Sequence, residues 1–180
     1  MAAIGTALVA ACASAPAPQG APDIAPEVLI DQNGRVYRTT DGASTSTFTV
    51  PADSTFHSLV AAYTALGIEP SAVDPVQHVV SRQHLLLKSR FQGERLSRAF
   101  DCGTGQFGPR ADEGRILADI TSRVAPSGSG SVVTTAIQAS LTANDGVSRD
   151  PIRCVSNGGI EEKLRRETSL RLGVPNQRNP

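Results

Sequence analysis

The chain of 180 residues contains no Trp, two Tyr, five Phe and one Met. A core built from it must rest on Val, Leu, Ile and Ala rather than on stacked rings. Charge of one sign is not in excess either, since seventeen Lys and Arg face seventeen Asp and Glu. Nucleic-acid partners call for a surplus of positive charge, which sets that class aside. Beyond residue 11 no run approaches the roughly 18 apolar residues of a membrane span. Cysteine is scarce: Cys12, Cys102 and Cys154 are all there are. No CxxC, HxxxH or GxSxG spacing occurs, so neither a metal site nor a serine nucleophile has a local signature. What remains is a length that fits one domain plus a leader, and a body of about 150 residues that can bury about 70% of its unfolded surface.

Met1 to Ala11 is an apolar run of small and aliphatic residues, and no Lys or Arg precedes it. Cys12 follows, then Ala13-Ser14-Ala15-Pro16. The segment Val9-Ala10-Ala11-Cys12 resembles the lipobox of bacterial lipoproteins, an aliphatic residue and two small ones ahead of a cysteine. That resemblance implies cleavage before Cys12 and a diacylglycerol on its thiol, a tether that does not span the bilayer. The uncharged Ala13 is similar to the outer-membrane-sorted class, implying a location on the outer membrane facing the periplasm. Ordinary secretion, with cleavage near Ala13 or Ala15, is the alternative, and an unprocessed cytosolic N-terminus a third. Residues 13–26 are rich in Ala and Pro. Such a linker favours extended polyproline II and reaches about 40 Å. The expected organisation is a signal peptide over 1–11, a lipidated Cys12 and linker over 12–26, a globular domain over 27–174 and a polar tail over 175–180.

Within the body, Glu27–Asp31 and Arg35–Thr39 flank Gln32-Asn33-Gly34, a hairpin signal. Thr47 to Val50 alternates as a strand and stops at Pro51. Asp53 or Ser54 is then placed to cap a helix with an apolar stripe of Phe56, Leu59, Val60, Tyr63 and Leu66, leaving Ala62 on the opposite side. Gly67, Ile68 and Pro70 end it in the manner of a Schellman cap. Strand character returns near Val76. From Arg82 to Gln92 the odd positions point one way and His84, Leu86, Lys88, Arg90 and Gln92 the other. After Gly93 the run Arg95–Asp101 returns, with Arg98 either bulged out or half-buried beside an acid. Ile116, Ala118, Ile120, Ser122 and Val124 share one strand face, and Val133, Thr135, Ile137, Ala139 and Leu141 share another. These make a hairpin of about ten residues per arm around Pro126–Gly130. Asn144-Asp145-Gly146 closes it, and Ile152–Val155 is a short strand. Ser156 or Asn157 is placed to cap a last helix whose face carries Ile160, Leu164, Thr168 and Leu172, backed by Leu170.

Strands, a helix, an antiparallel meander and a C-terminal helix predict an α+β fold with the meander sheet packed against two helices. This order is similar to the helix-grip arrangement. It resembles in outline the globular domains of the lipoprotein subunit of the outer-membrane β-barrel assembly machine. The resemblance spans residues 46–172 and rests on element order, the Val50-Pro51 start of the first helix and its Leu66-Gly67-Ile68 end. It carries no catalytic motif, and the pair Cys102 and Cys154 is not part of that pattern.

In an exported protein two body cysteines are expected to form a disulfide, so Cys102 with Cys154 is the leading reading. Two free buried thiols, or metal or catalytic use, are the alternatives. Gly103-Thr104-Gly105-Gln106-Phe107-Gly108 matches GxGxxG, but no helix follows it, so it reads as a mobile loop rather than a cofactor cradle. His57 reads as a helix-edge residue, and His78 and His84 as neighbours on one sheet face too poor in carboxylates to hold a metal. Asp112-Glu113 and Glu161-Glu162 read as solvated surface. Arg82, His84, Lys88 and Arg90 share strand parity and are expected to form a basic stripe, either a plain solvated face or a contact for anionic headgroups or an acidic partner. No catalytic residue, cofactor or metal is predicted. The expected function is a non-enzymatic, lipid-anchored envelope protein that contacts another envelope protein. The alternative is a helix-grip carrier of a small apolar ligand, which would need an apolar cavity between the sheet and the last helix.

Overall fold

A computed structural model describes residues 43–142 and 150–174 in full and the backbone of residues 28–30 and 36–38. The lipobox-like segment, the expected linker over 13–26, the turns expected at Asn33-Gly34 and Asn144–Gly146 and the expected polar tail lie outside the described residues. Strands β1 (Val28–Ile30) and β2 (Val36–Arg38) pair antiparallel with Leu29 opposite Tyr37, the hairpin expected from the Asn-Gly signal.

The remaining strands are β3 (Ser44–Phe48), β4 (Ala72–Asp74), β5 (Val79–Lys88), β6 (Arg90–Phe91), β7 (Glu94–Arg95), β8 (Phe100–Asp101), β9 (Arg115–Ser127), β10 (Gly130–Thr142) and β11 (Ile152–Ser156). Among the described residues they form one nine-stranded sheet, ordered β7-β6-β5-β9-β10-β11-β8, with β3 on β10 and β4 on β5. Every pairing is antiparallel. Helix α1 (Ala52–Ala65) lies over β9 and β10, and helix α2 (Gly159–Leu172) packs on α1 and β3. The fold is α+β and helix-grip-like.

The β9–β10 hairpin is longer than its alternation alone implies. Thirteen residues pair on each arm, because the ladder runs on through Pro126↔Ser131 and Ser127↔Gly130. Only Gly128 and Ser129 turn. The inner face is the expected one, and Ile116, Ala118, Ile120, Ser122, Val124, Val133, Thr135, Ile137, Ala139 and Leu141 are all buried.

Helix α1 buries Phe56, Leu59 and Tyr63 as its spacing predicts, and it buries Ala62 with them rather than leaving it on the far side. Its start differs from expectation. Pro51 is the N-cap without a side-chain cap, and Asp53 lies inside the first turn. Thr55 supplies the local bonds instead, its N–H donating to the Pro51 carbonyl and its hydroxyl to the Val50 carbonyl. The C-terminus is a Schellman motif. Gly67 takes φ +69°, its N–H donates to the Thr64 carbonyl, and the N–H of buried Ile68 donates to that of Tyr63.

Three strand and cap assignments are corrected. Val76 sits in a turn, where the Asp74 carboxylate accepts the N–H groups of Val76 and Gln77 at 2.9 and 3.0 Å. This competes locally with strand pairing. Leu96–Arg98 is a 3₁₀ turn, not strand, which buries Leu96 and Phe100 while leaving Arg98 exposed. At α2, Gly158 is the N-cap in place of Ser156 or Asn157, and Leu170 is exposed.

Candidate functional site

Among the described residues the interior of the grip between sheet and α2 is filled. Ile160, Leu164, Val133 and Ile137 are all buried. The cavity between sheet and α2 measures about 10 Å³, bordered by Phe48, Val133, Thr135, Glu161, Leu164 and Thr168. That is room for about one water, against the several hundred Å³ of a small-molecule pocket. The polar groups around it bond to one another. The Tyr63 hydroxyl lies 2.7 Å from Ser122 Oγ, which lies 2.8 Å from Thr135 Oγ1. Thr168 Oγ1 donates back to the Leu164 carbonyl at 2.7 Å. Burial holds the Tyr63 phenol well above the usual tyrosine range.

Glu161 is the exception. The adjacent pair Glu161-Glu162 reads as solvated surface, yet only Glu162 is exposed and Glu161 is buried. Its spacing to Leu164 and Thr168, three and seven residues on, places it on the apolar face, a signal that the adjacent-carboxylate reading passes over. Ser156 Oγ donates to its Oε1 at 2.6 Å, and its Oε2 is buried without a hydrogen-bond partner. Burial raises its pKa above the ordinary value, partly offset by the Ser156 bond.

The cysteine pair is a disulfide. β11 pairs with β8 through Ser156↔Phe100 and Val155↔Asp101, which puts Cys154 opposite Cys102 on the next rung. Their Cα atoms are 4.3 Å apart and the sulfurs are bonded. Both residues are buried. The glycine-rich loop after Cys102 is tied rather than loose. Gly103 donates to the Asp101 carboxylate, Gly105 to the Gly108 carbonyl and Arg110 to the Gly103 carbonyl.

The predicted basic stripe along one strand does not form. Arg82 pairs with Ile120 and Leu85 with Ala118, so β5 carries one extra residue between them. This bulge, with His84 at φ +56°, reverses the parity of everything before it. Arg82 consequently turns to the inner face with Val80, Leu85 and Leu87, and its Nη1 donates to the Glu69 carbonyl at 3.0 Å. The backbone N–H of His84 is bonded to the Asp119 carboxylate. His78 precedes β5 at φ +51°, its ring 2.8 Å from Asp53 and 5.3 Å from Phe56, so it shares no sheet face with His84. Among the described residues no group of three or more His, Cys, Asp or Glu is arranged to hold a metal.

A different cationic array takes the stripe's place. Arg95 is opposite Arg90, Arg90 opposite Lys88, and Lys88 opposite Arg115, in register across β7, β6, β5 and β9. All four are exposed, on the outer face. Like charges directly opposite each other are destabilising, by roughly 0.2–1 kcal/mol per pair. Lys88 and Arg90 of the expected stripe remain; Arg95 and Arg115 join through pairings that parity along one strand does not reveal. Leu86 and Leu117, also opposite each other and 50% and 39% exposed, form an apolar rung two residues along.

No protein-family model matches the chain, and no curated sequence is similar to it. Among solved structures, the crystal structure of Ara h 8.0201 aligns at 7% identity with a TM-score of 0.41, covering 73% of this chain and 96% of that one. No residue here takes a role from that likeness.

Proposed function

We propose that this is a lipid-anchored protein of the bacterial cell envelope whose domain works by surface contact rather than by catalysis or carriage. The observation that carries the reading is a contrast between the two sheet faces. The inner face is closed around about 10 Å³ and satisfies its own hydroxyls, while the outer face bears a cationic row and an exposed leucine pair. A carrier of an apolar ligand would need the reverse.

The anchor is Cys12, through its lipobox-like setting, and the Ala- and Pro-rich residues 13–26 are the stalk. The location that follows is the outer membrane, facing the periplasm, with another envelope protein as the partner. The Cys102–Cys154 bond suits an oxidising compartment. Metabolic labelling with palmitate tests the anchor. The wild-type chain takes up label and Cys12→Ala does not; label retained by Cys12→Ala overturns it. In-cell crosslinking from position 107 or 155, where Phe107 and Val155 are exposed, tests the protein contact, with an envelope protein as the expected product.

A further inference from the structure

We propose that the transverse row Arg95–Arg90–Lys88–Arg115 is a docking surface for the phosphate headgroups of an anionic lipid bilayer. Adjacent strands lie about 4.8 Å apart, so the row extends over about 14 Å. By register the four cations share one sheet face, with Arg90 also donating from Nη1 to the Gly93 carbonyl at 2.8 Å; this suits several anions on a plane rather than one anion in a recess. The acids nearby are turned elsewhere. Glu94 pairs with Lys163 of α2 at 3.2 Å. Asp119 accepts the His84 N–H at 2.6 Å, and the Glu113 Oε2 is 2.8 Å from where a Gly105 side chain would begin. Among the described residues no carboxylate forms an ion pair with Lys88, Arg90, Arg95 or Arg115.

Four like charges brought into register need a counter-charge from outside the domain, and an anionic bilayer supplies it at high density. The leucine rung favours a membrane over an acidic protein surface. Leu86 and Leu117 flank the Lys88–Arg115 pair on the same face, so cations can meet phosphates while the leucines meet the apolar edge of the headgroup layer. The inference rests on the proposed tether in one respect: a stalk of about 40 Å keeps the domain within reach of the bilayer and raises the effective concentration of the surface.

The test uses the full chain carrying Cys12→Ala, which removes the acyl anchor from the measurement, and co-sedimentation with vesicles of phosphatidylcholine with or without phosphatidylglycerol. Binding is expected only with phosphatidylglycerol, weakening as salt is raised. Arg90→Gln and Arg115→Gln should each weaken it about fivefold, and the double variant about 25-fold. Arg166→Gln on α2, exposed and equal in charge change, should leave it unaltered. Thermal melts of each variant confirm folding. Equal binding to both vesicle types overturns the proposal, as does a loss with Arg166→Gln equal to that with Arg115→Gln. Binding to polyglutamate but not to vesicles also overturns it and assigns the row to an acidic protein. Palmitate labelling is unaffected by any of these results, so failure of the surface contact and failure of the tether are separately visible.

Discussion

Ser156 Oγ donates to Glu161 Oε1 at 2.6 Å, while the other oxygen of that carboxylate is buried with no partner. A charge kept half-satisfied beneath a helix opposes folding. Burial raises the Glu161 pKa above its ordinary value of 4.5. Between 4.5 and the raised value the folded protein holds more protons than the unfolded chain, so stability falls as pH rises through that window. Glu161→Gln removes the ionisation at constant shape. It should be more stable than wild type at neutral pH by on the order of 1 kcal/mol, the cost of the buried charge, while the Gln amide takes over the unpartnered position. The difference should shrink toward zero below pH 4.5, measured by urea unfolding across the range.

The Tyr63–Ser122–Thr135 chain joins α1 to both arms of the central hairpin. Its middle member matters most. Tyr63→Phe leaves Ser122 bonded to Thr135 and should cost about 1 kcal/mol. Ser122→Ala strands the hydroxyls of both Tyr63 and Thr135 in the core and should cost about 2–4 kcal/mol, one desolvation penalty for each. Equal losses in the two variants, read from unfolding midpoints, would show that the chain is not shared.

The core is legible in the sequence because two periods are clean. The 2-residue alternation of β9 and β10 and the stripe Phe56, Leu59, Tyr63 name a large block of the buried side chains. The outer face is not legible, for two physical reasons. Parity survives only as long as the strand does, and the β5 bulge between Arg82 and Leu85 inverts it. A positive φ at His84 is not announced by the sequence, since Gly is the default residue for that conformation and a lone His is far more often extended. The cationic row depends on register between strands, which alternation along a strand does not encode. Glu161 escapes notice differently: its neighbour Glu162 makes the pair look solvated, although helical spacing to Leu164 separates them.

The disulfide should be the largest single contributor among the features named. It closes a loop with a sequence separation of 52. In the chain-entropy model that constrains the unfolded state by about 4 kcal/mol. Reduction under native conditions should be slow, because both cysteines are buried. The double variant Cys102→Ser/Cys154→Ser should lose about that much stability in urea. Denatured, unreduced wild-type chain should show no free thiol from either position, and detection of one would remove the bond from the account.

At the hairpin tip, two glycines two residues apart should respond oppositely to substitution. Gly130 starts β10 where β3 crosses closest, and a Cβ there would collide with the Phe48 carbonyl. That oxygen belongs to a paired strand, so it cannot swing aside as a flexible side chain would. Next along, Ser131 Oγ donates to the Val50 carbonyl at 2.8 Å, fixing the same stretch of backbone again. Gly130→Ala should therefore cost about 1–3 kcal/mol by forcing β3 off β10. Gly128 takes φ +57°, and nothing lies within 4 Å of where its Cβ would stand. Asn tolerates that backbone conformation, so Gly128→Asn should change stability by less than about 1 kcal/mol. Urea midpoints of the two variants separate backbone crowding from turn strain: a Gly130→Ala protein as stable as Gly128→Asn would mean that β3 yields, and with it the edge that closes the grip around α2.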